Sequence, residues 1–197
     1  MPTIDELYWE NRYKQGKTGW DIGNVSEPLK VYIDQIEQKN LKILIRGCGN
    51  AYEAKYLLEQ GFQNVNLIDV SETLVKKLEH ELNYWINLGF CSVSKVNYFE
   101  LSGKYDLILE QTFFCAISPE LREQYVEKTF NLLTPNGKLV GLLFNHIFEE
   151  NGPPFGGNIS EYRELFQDKF FLNKIEECYN SILPRKGKEL FINFSKK

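Results

Sequence analysis

Several things are scarce in this 197-residue chain, and each scarcity closes a class of function. Four cysteines, Cys48, Cys91, Cys115 and Cys178, are widely spaced with no CxxC pair, so neither a zinc site nor a disulfide framework is suggested. Reduced thiols and no bound metal are expected. Positive charge is not in excess: the net charge is -4 and the pI about 5.4. With no basic stripe, nucleic acid and anionic membranes are poor partners, because both select basic surfaces. No stretch approaches the roughly 20 apolar residues of a membrane span, and the first residues, MPTIDELYWENRYKQG, lack the apolar run of a signal peptide. A soluble cytoplasmic protein is expected. Repeats, low-complexity tracts and linkers are also missing, which predicts one domain over residues 1–197 with a sizeable core.

What the chain does have is concentrated between Lys42 and Asp69. Ile43-Leu44-Ile45 suits a buried parallel strand covered on both faces. It stops at Gly47-Cys48-Gly49, where glycines permit positive φ and let a ligand approach the backbone. Ala51, Ala54, Leu57 and Leu58 then fall at helical spacing, with Gly61 as terminator. A second strand, Val65 to Ile68, delivers Asp69. An acid there, 20 residues beyond Gly49, is placed to accept hydrogen bonds from a ribose diol.

Two cofactor classes use such a unit. A dinucleotide fingerprint wants G-x-G-x-x-G, but the third glycine is replaced by Tyr52, which disfavours pyrophosphate and an NAD-dependent oxidoreductase. S-adenosylmethionine carries a sulfonium and an amino-acid tail in place of phosphates, so its site can dispense with that glycine and still needs the ribose acid.

The alternation of elements continues. Ser71 is an N-cap for a helix whose Leu74, Leu78, Leu82 and Trp85 form one apolar face. Cys91 to Val96 reads as a strand ending at Asn97-Tyr98, and Tyr105 to Leu109 as another closed by Glu110-Gln111. A helix from about Pro119 presents Leu121, Tyr125, Val126, Phe130 and Leu133, and Thr134-Pro135-Asn136-Gly137 ends it. Lys138 to Asn145 is a fifth strand; after a Gly/Pro-rich loop and a short helix come Phe171 to Asn180 and Glu189 to Phe194. This order predicts an α/β, doubly wound, mostly parallel seven-stranded sheet with an antiparallel edge strand. Ligands of such sheets sit outside the carboxyl ends of the strands. That rule selects Gly47, Gly49, Asp69, Asn97, Tyr98, Glu110, Gln111, Asn145 and His146.

Further motifs carry a resemblance. Trp9-x-x-x-Tyr13 with Gly16-x-Thr18-x-Trp20-Asp21-x-Gly23 precedes the first strand, followed by Pro28-Leu29. Phe113 to Ile117 follows the fourth strand, Gly152-Pro153-Pro154-Phe155 the fifth, and Arg185 to Glu189 opens the last. With these segments the chain resembles the thiopurine methyltransferase superfamily, and within it is similar to the plant "harmless to ozone layer" halide and thiol methyltransferases, over nearly its whole length. The resemblance implies a Rossmann-like class I fold and S-adenosyl-L-methionine-dependent methyl transfer to a small, soft nucleophile such as a thiol, bisulfide, thiocyanate or halide. It implies a lid in residues 1–28, with Trp9, Tyr13 and Trp20 lining the cofactor and the entrance. Gly47 would touch the methionine part, Asp69 the ribose, Asn97-Tyr98 the adenine and Gln111 the region beside the methionine. Trp20, Phe114 and Phe155 would line the substrate pocket.

Departures from the family pattern are Ala51 for a loop glycine, Asn97 for an acid, Asn151-Gly152 for a double glycine and Phe155 for a tyrosine. Asn97 can still accept the adenine amino proton through its carbonyl oxygen. Methyl transfer to an anion needs alignment and desolvation and no strong base, and proximity supplies up to roughly 7 to 11 kcal/mol. Aromatic faces suit a sulfonium and exclude water.

Plainer readings stand beside these. Trp9, Tyr13 and Trp20 can be packing for an N-terminal helix, though Gly16, Gly19 and Gly23 between them favour a lid. His146 is a base or a polar rim residue; Glu110 hydrogen-bonds a backbone amide or orients the substrate pocket; Cys115 is a buried core thiol more than a nucleophile. Pro153-Pro154 stiffens its loop or walls the pocket, and Arg185 to Lys188 is a solvated turn or attracts an anion. A binding protein that holds S-adenosylmethionine without transferring methyl, or a methyltransferase for oxygen or nitrogen, are the alternatives. A monomer or weak dimer with a small-molecule substrate is expected.

Overall fold

The computed structural model describes residues 4–149 and 152–197; the first three lid residues and Asn151 of the loop motif lie outside them. The chain divides into two compact units, meeting between Leu101 and Ser102.

The first unit opens with helices α1 (Glu6–Lys14) and α2 (Glu27–Asp34). Strand β1 (Ile43–Arg46), helix α3 (Tyr52–Glu59) and strand β2 (Val65–Asp69) follow, then α4 (Glu72–Glu81), α5 (Asn83–Asn87) and β3 (Cys91–Lys95). Strand β2 pairs in parallel with both β1 and β3, Ile43 opposite Val65 and Val65 opposite Cys91. All four residues of β1 are buried, the apolar Ile43-Leu44-Ile45 run as a strand covered on both faces requires, and Arg46 with them. Helix α3 stops two residues before Gly61, and α4 is capped by Ser71, whose Oγ accepts the Leu74 amide at 3.2 Å. Such a cap contributes about 1 kcal/mol. The helix read from Ser71 onward breaks at Leu82, leaving Trp85 half-buried on the separate α5.

The second unit holds β4 (Tyr105–Glu110), α6 (Arg122–Leu132), β5 (Leu133–Phe144), α7 (Ile159–Phe166), β6 (Phe170–Glu177) and β7 (Glu189–Lys196). Strand β5 is parallel to β4, and β7 runs between β5 and β6, antiparallel to both. The topology is that of a seven-stranded, mostly parallel sheet of order β3-β2-β1-β4-β5-β7-β6, its antiparallel strand toward one edge. Gly141 on β5 lies so close to β4 that a Cβ there would overlap the Glu110 carbonyl.

Two local expectations are corrected in this unit. Pro119 opens a 3-10 turn rather than α6 itself, which leaves Leu121 36% exposed instead of on the apolar face. Leu133 belongs to β5, not to the helix, and Thr134–Gly137 is an excursion within the strand rather than a separator. Leu133 pairs with Tyr105 and Lys138 with Leu107, while Asn136 takes φ +62° between them. A bulge absorbs the extra residues and pairing resumes.

Ala51 stands before α3 and not in it, with φ +55°, after Gly47 and Gly49 at φ +52° each. The turn therefore uses left-handed backbone at a position where a Cβ costs roughly 1 kcal/mol. Ala51→Gly should relieve that strain and, net of added freedom in the unfolded chain, leave the melting temperature unchanged or raised by about 2 °C. A loss of several degrees in calorimetry would mean that the Ala51 methyl, only 1% exposed, stabilises more than its backbone strain costs.

Candidate active site

In the first unit, the ends of β1 and β2 build a polar cradle. Asp69 is 5% exposed; the Ser71 amide donates to its Oδ1 at 3.0 Å, and the Gly49 and Val70 amides also donate to the carboxyl. Burial nevertheless outweighs these donors and pushes the carboxyl up to about 6. The amide of the glycine turn thus serves the acid at the end of β2, which joins the two halves of the unit predicted from Lys42 to Asp69.

The aromatic segment sits on that turn. Trp20 meets Trp9 and Tyr13 edge-on at centroid distances of 5.4 and 5.6 Å, and its indole N–H hydrogen-bonds the Tyr13 hydroxyl. A Cβ at Gly49 would stand 3.9 Å from Tyr13 Oη and 4.0 Å from Trp20 Nε1. Burial, then the nearby Asp69, drives the Tyr13 phenol well above its usual range, so it stays a neutral hydrogen-bond group. The three aromatics, the two glycines and Asp69 are therefore brought together.

Three carboxylates that sequence reasoning did not single out as site residues fix this arrangement. Asp21 accepts from the Gly23 amide at 2.7 Å, from the Asn50 side-chain amide and from the Tyr52 hydroxyl at 3.4 Å. Lys77 in turn donates to Asn50 Oδ1 at 2.6 Å. Glu53, 6% exposed on α3, accepts the Ser26 amide at 3.0 Å. Glu10 on α1 accepts from the Ser71 and Thr73 hydroxyls, each at 2.6 Å, and from the Thr73 amide at 3.2 Å. Apart from the local Asp21–Gly23 turn, these contacts span 27 to 63 residues, beyond any local pattern; the only sequence signal was Ser71 as a cap.

The pair after β3 divides differently from expectation. Asn97 is exposed, and its Oδ1 accepts the Phe99 amide at 3.0 Å, which commits one lone pair to capping the 3-10 turn Tyr98–Glu100. Tyr98 is buried, 2% exposed, with the Arg46 guanidinium 5.1 Å from its ring centroid. The half-buried ring at this strand end is Phe99, a residue the sequence reading passed over.

In the second unit, Glu110 resolves into one role. Its Oε1 accepts the Phe113 and Phe114 amides at 2.8 and 2.9 Å, and its Oε2 accepts the Tyr125 hydroxyl at 2.6 Å. Wholly buried, it shapes the loop after β4, where Thr112 has φ +57°. Phe114 points inward, 2% exposed, edge-on to Tyr125 and Tyr162 at 4.9 and 5.6 Å, beneath the Arg122 guanidinium at 4.8 Å. Its ring packs in the core, and the half-buried neighbour is Phe113. Phe155 is half-buried and its amide donates to the Cys115 carbonyl at 2.7 Å, which staples the Pro-Pro-Phe loop to the loop after β4. Arg122 adds a second staple, donating to the Gly156 carbonyl at 2.7 Å while pairing with Glu161.

Other candidates take plainer places. The Cys115 thiol donates to the Thr112 carbonyl at 3.3 Å, and burial pushes it up to about 12, so it is no thiolate near neutral pH. His146 is half-buried, edge-on to Phe148 at 5.0 Å, and its carbonyl accepts the Gly157 amide. Arg185 is not a solvated turn residue: its side chain is 12% exposed and lies 3.4 Å from the buried carboxylate of Glu189. The Gln111 side-chain oxygen is buried with no hydrogen-bond donor among the described residues. Among those residues no group of three or more His, Cys, Asp or Glu could hold a metal ion, and no helix is long and apolar enough to cross a membrane.

The chain is similar to known proteins. The chain is 30% identical over 184 residues to a probable thiol methyltransferase 2 of Arabidopsis thaliana, covering 92% of this chain and 81% of that one. It is 30% identical over 193 residues to thiocyanate methyltransferase 1 of Brassica oleracea, covering 95% and 84%. Among solved structures, the 1,6-didemethyltoxoflavin-N1-methyltransferase of Burkholderia thailandensis, with bound S-adenosylhomocysteine, superposes with a TM-score of 0.76 over 98% of this chain and 88% of that one, at 18% identity. That likeness establishes the fold. The thiopurine S-methyltransferase (TPMT) family description matches residues 4–195, and the chain belongs to that family.

Proposed function

We propose that this protein is an S-adenosyl-L-methionine-dependent methyltransferase whose acceptor is a small soft nucleophile: a thiol, bisulfide, thiocyanate or halide. The observation that carries the cofactor half is the buried Asp69 carboxyl beside a left-handed glycine turn under three aromatic rings. Relatives named for thiols and thiocyanate, matched over more than nine-tenths of this chain, support the acceptor half.

The residues fit the cofactor. Asp69 would accept the ribose hydroxyls, and the Gly47 turn leaves the backbone open to the methionine part. In the second unit, the buried Gln111 oxygen without a donor among the described residues suits a donor from a ligand. Phe99, more than Tyr98, offers a ring for the adenine, with Asn97 beside it. Trp9, Tyr13 and Trp20 would line the cofactor and close the entrance as a lid over residues 1–28 of a single methyltransferase domain. When bound, S-adenosylmethionine supplies an activated methyl on a sulfonium. Phe113 and Phe155 would meet the acceptor and keep water from it, so that a desolvated anion reacts without a catalytic base. A protonated Cys115 and a Glu110 engaged with two amides and a phenol are consistent with such a mechanism. Neither Glu110 nor His146 is assigned a proton-transfer role. The reading carries with it a cytoplasmic protein, monomeric or weakly dimeric.

Incubating the protein with S-adenosylmethionine and iodide, bisulfide, thiocyanate, an aromatic thiol or a thiopurine should yield S-adenosylhomocysteine with at least one of these. Methylation of only an oxygen or nitrogen acceptor would sink the acceptor reading, and tight binding of NAD the cofactor reading. Asp69→Asn should weaken S-adenosylhomocysteine binding roughly 10- to 100-fold, the worth of hydrogen bonds to a charged acceptor.

The raised Asp69 carboxyl also sets a pH dependence. In the free protein it takes up a proton near 6, against its ordinary 3.8 when unfolded, so between these values the folded chain binds more protons. Its contribution to stability is full below about 4 and is lost as pH rises to about 6, roughly 3 kcal/mol at most. Ribose hydroxyls donate to the ionised form, so S-adenosylhomocysteine affinity should rise from pH 5 to about 6.5 and then level. Glu10 is held down to about 2, and the Tyr13 and Cys48 groups facing Asp69 are pushed upward, so none of them titrates in this window. Calorimetric titration across pH 5 to 8 checks it: affinity that is flat for the wild type, or as steep for Asp69→Asn, would contradict the assignment.

A further inference from the structure

Helix α1 has an unusual problem. It carries Trp9 and Tyr13, yet none of its nine residues is fully buried, and Leu7 is 64% exposed. An isolated helix of that length is marginal in water, and it has little apolar burial to fix it against the rest of the unit. Something polar must set where the two rings sit.

Glu10 has the right contacts. It projects from α1 between the two aromatic positions, its side chain only 13% exposed, and makes no use of its own helix beyond a 3.1 Å pairing with Lys14. Both carboxylate oxygens are spent on the start of α4: Oε2 on the Ser71 hydroxyl and the Thr73 amide, Oε1 on the Thr73 hydroxyl. The Ser71 and Thr73 hydroxyls hold the carboxyl down to about 2, so it is ionised at any working pH. A negative charge at the amino end of α4 is also favoured by the helix dipole.

Ser71 is the junction. Its hydroxyl donates to Glu10 and accepts the Leu74 amide, and its own amide donates to Asp69. One residue therefore links the α1 carboxylate to the ribose-site carboxylate two positions earlier. We propose that Glu10 is a positioning residue, a latch that holds the Trp9-Tyr13 face over the Gly49 turn and ties closure of that face to the conformation of the Asp69-Ser71 turn. The latch rests on the cofactor reading above for its consequence in catalysis, and on the free protein alone for its existence.

Trypsin reads the latch directly, because Arg12, Lys14 and Lys17 lie in or just after α1. Well below the melting temperature and without ligand, Glu10→Ala should be cleaved at these sites about tenfold faster than wild type, as expected for loss of hydrogen bonds to a charged acceptor. Its KM for S-adenosylmethionine and its affinity for S-adenosylhomocysteine should worsen by about the same factor, while kcat at saturating cofactor changes by less than about threefold. Glu10→Gln, which keeps one acceptor oxygen, should fall between. Thr73→Val leaves the Ser71 cap intact and removes one latch partner, so it should reproduce the opening in weaker form.

Unchanged cleavage in Glu10→Ala and Thr73→Val overturns the latch. So does a fall in kcat without a rise in KM, or faster cleavage spread evenly over the whole chain. If the wild type fails to bind S-adenosylhomocysteine, the cofactor reading falls, and the ligand-free cleavage rates still decide the latch.

Discussion

Asp69 carries its carboxyl at the end of β2, 5% exposed, where ionisation forgoes the hydration that water would provide, and three backbone amides are turned toward it in partial replacement. Much of the first unit is arranged by that replacement. The Gly49 amide can reach the acid only because the turn after β1 takes left-handed backbone, and the Ser71 amide can reach it only because α4 starts where it does. The glycine turn, the second strand and the fourth helix are thus committed to one geometry by a single buried charge. The amides offset only part of the lost hydration, which is why the carboxyl holds its proton up to about 6.

The N-terminal segment meets that centre through polar contacts more than apolar burial. Glu10, Asp21 and Glu53 each bridge between it and the β1-to-α4 region, and the edge-on rings of Trp9, Tyr13 and Trp20 fill the space between these bridges. A segment secured in this way is separable at modest cost, unlike a buried strand, and that suits a part that must admit and release a ligand.

Legibility in the sequence followed the range of the interactions involved. The order of strands, the glycine turn, the acid at Asp69 and the cap at Ser71 were readable because each rests on neighbours a few residues apart. Thr134–Gly137 misled because Pro-Asn-Gly serves a loop and a bulge equally well, and only pairing of β5 with β4 on both sides of it decides which. That Tyr98 and Phe114 are buried while Phe99 and Phe113 are half-buried was illegible for a related reason. In a short 3-10 turn no periodic pattern says which of two adjacent rings turns inward, whereas Arg46 over Tyr98 and Arg122 over Phe114 do. The role of Glu10 was invisible altogether, since its partners at the start of α4 lie 61 and 63 residues away.

Glu110 has a further implication. The loop after β4 owes its path to a carboxylate gripping the amides of residues 113 and 114, and amides are common to every non-proline residue. The hydrogen bonds that set backbone shape there therefore do not involve the side chain at 113, whose ring instead stacks on Tyr125. The half-buried ring can therefore be exchanged without removing the amide grip on the loop that presents it, at the cost of its stacking on Tyr125. Side chain and scaffold are in this way uncoupled at one position of the loop.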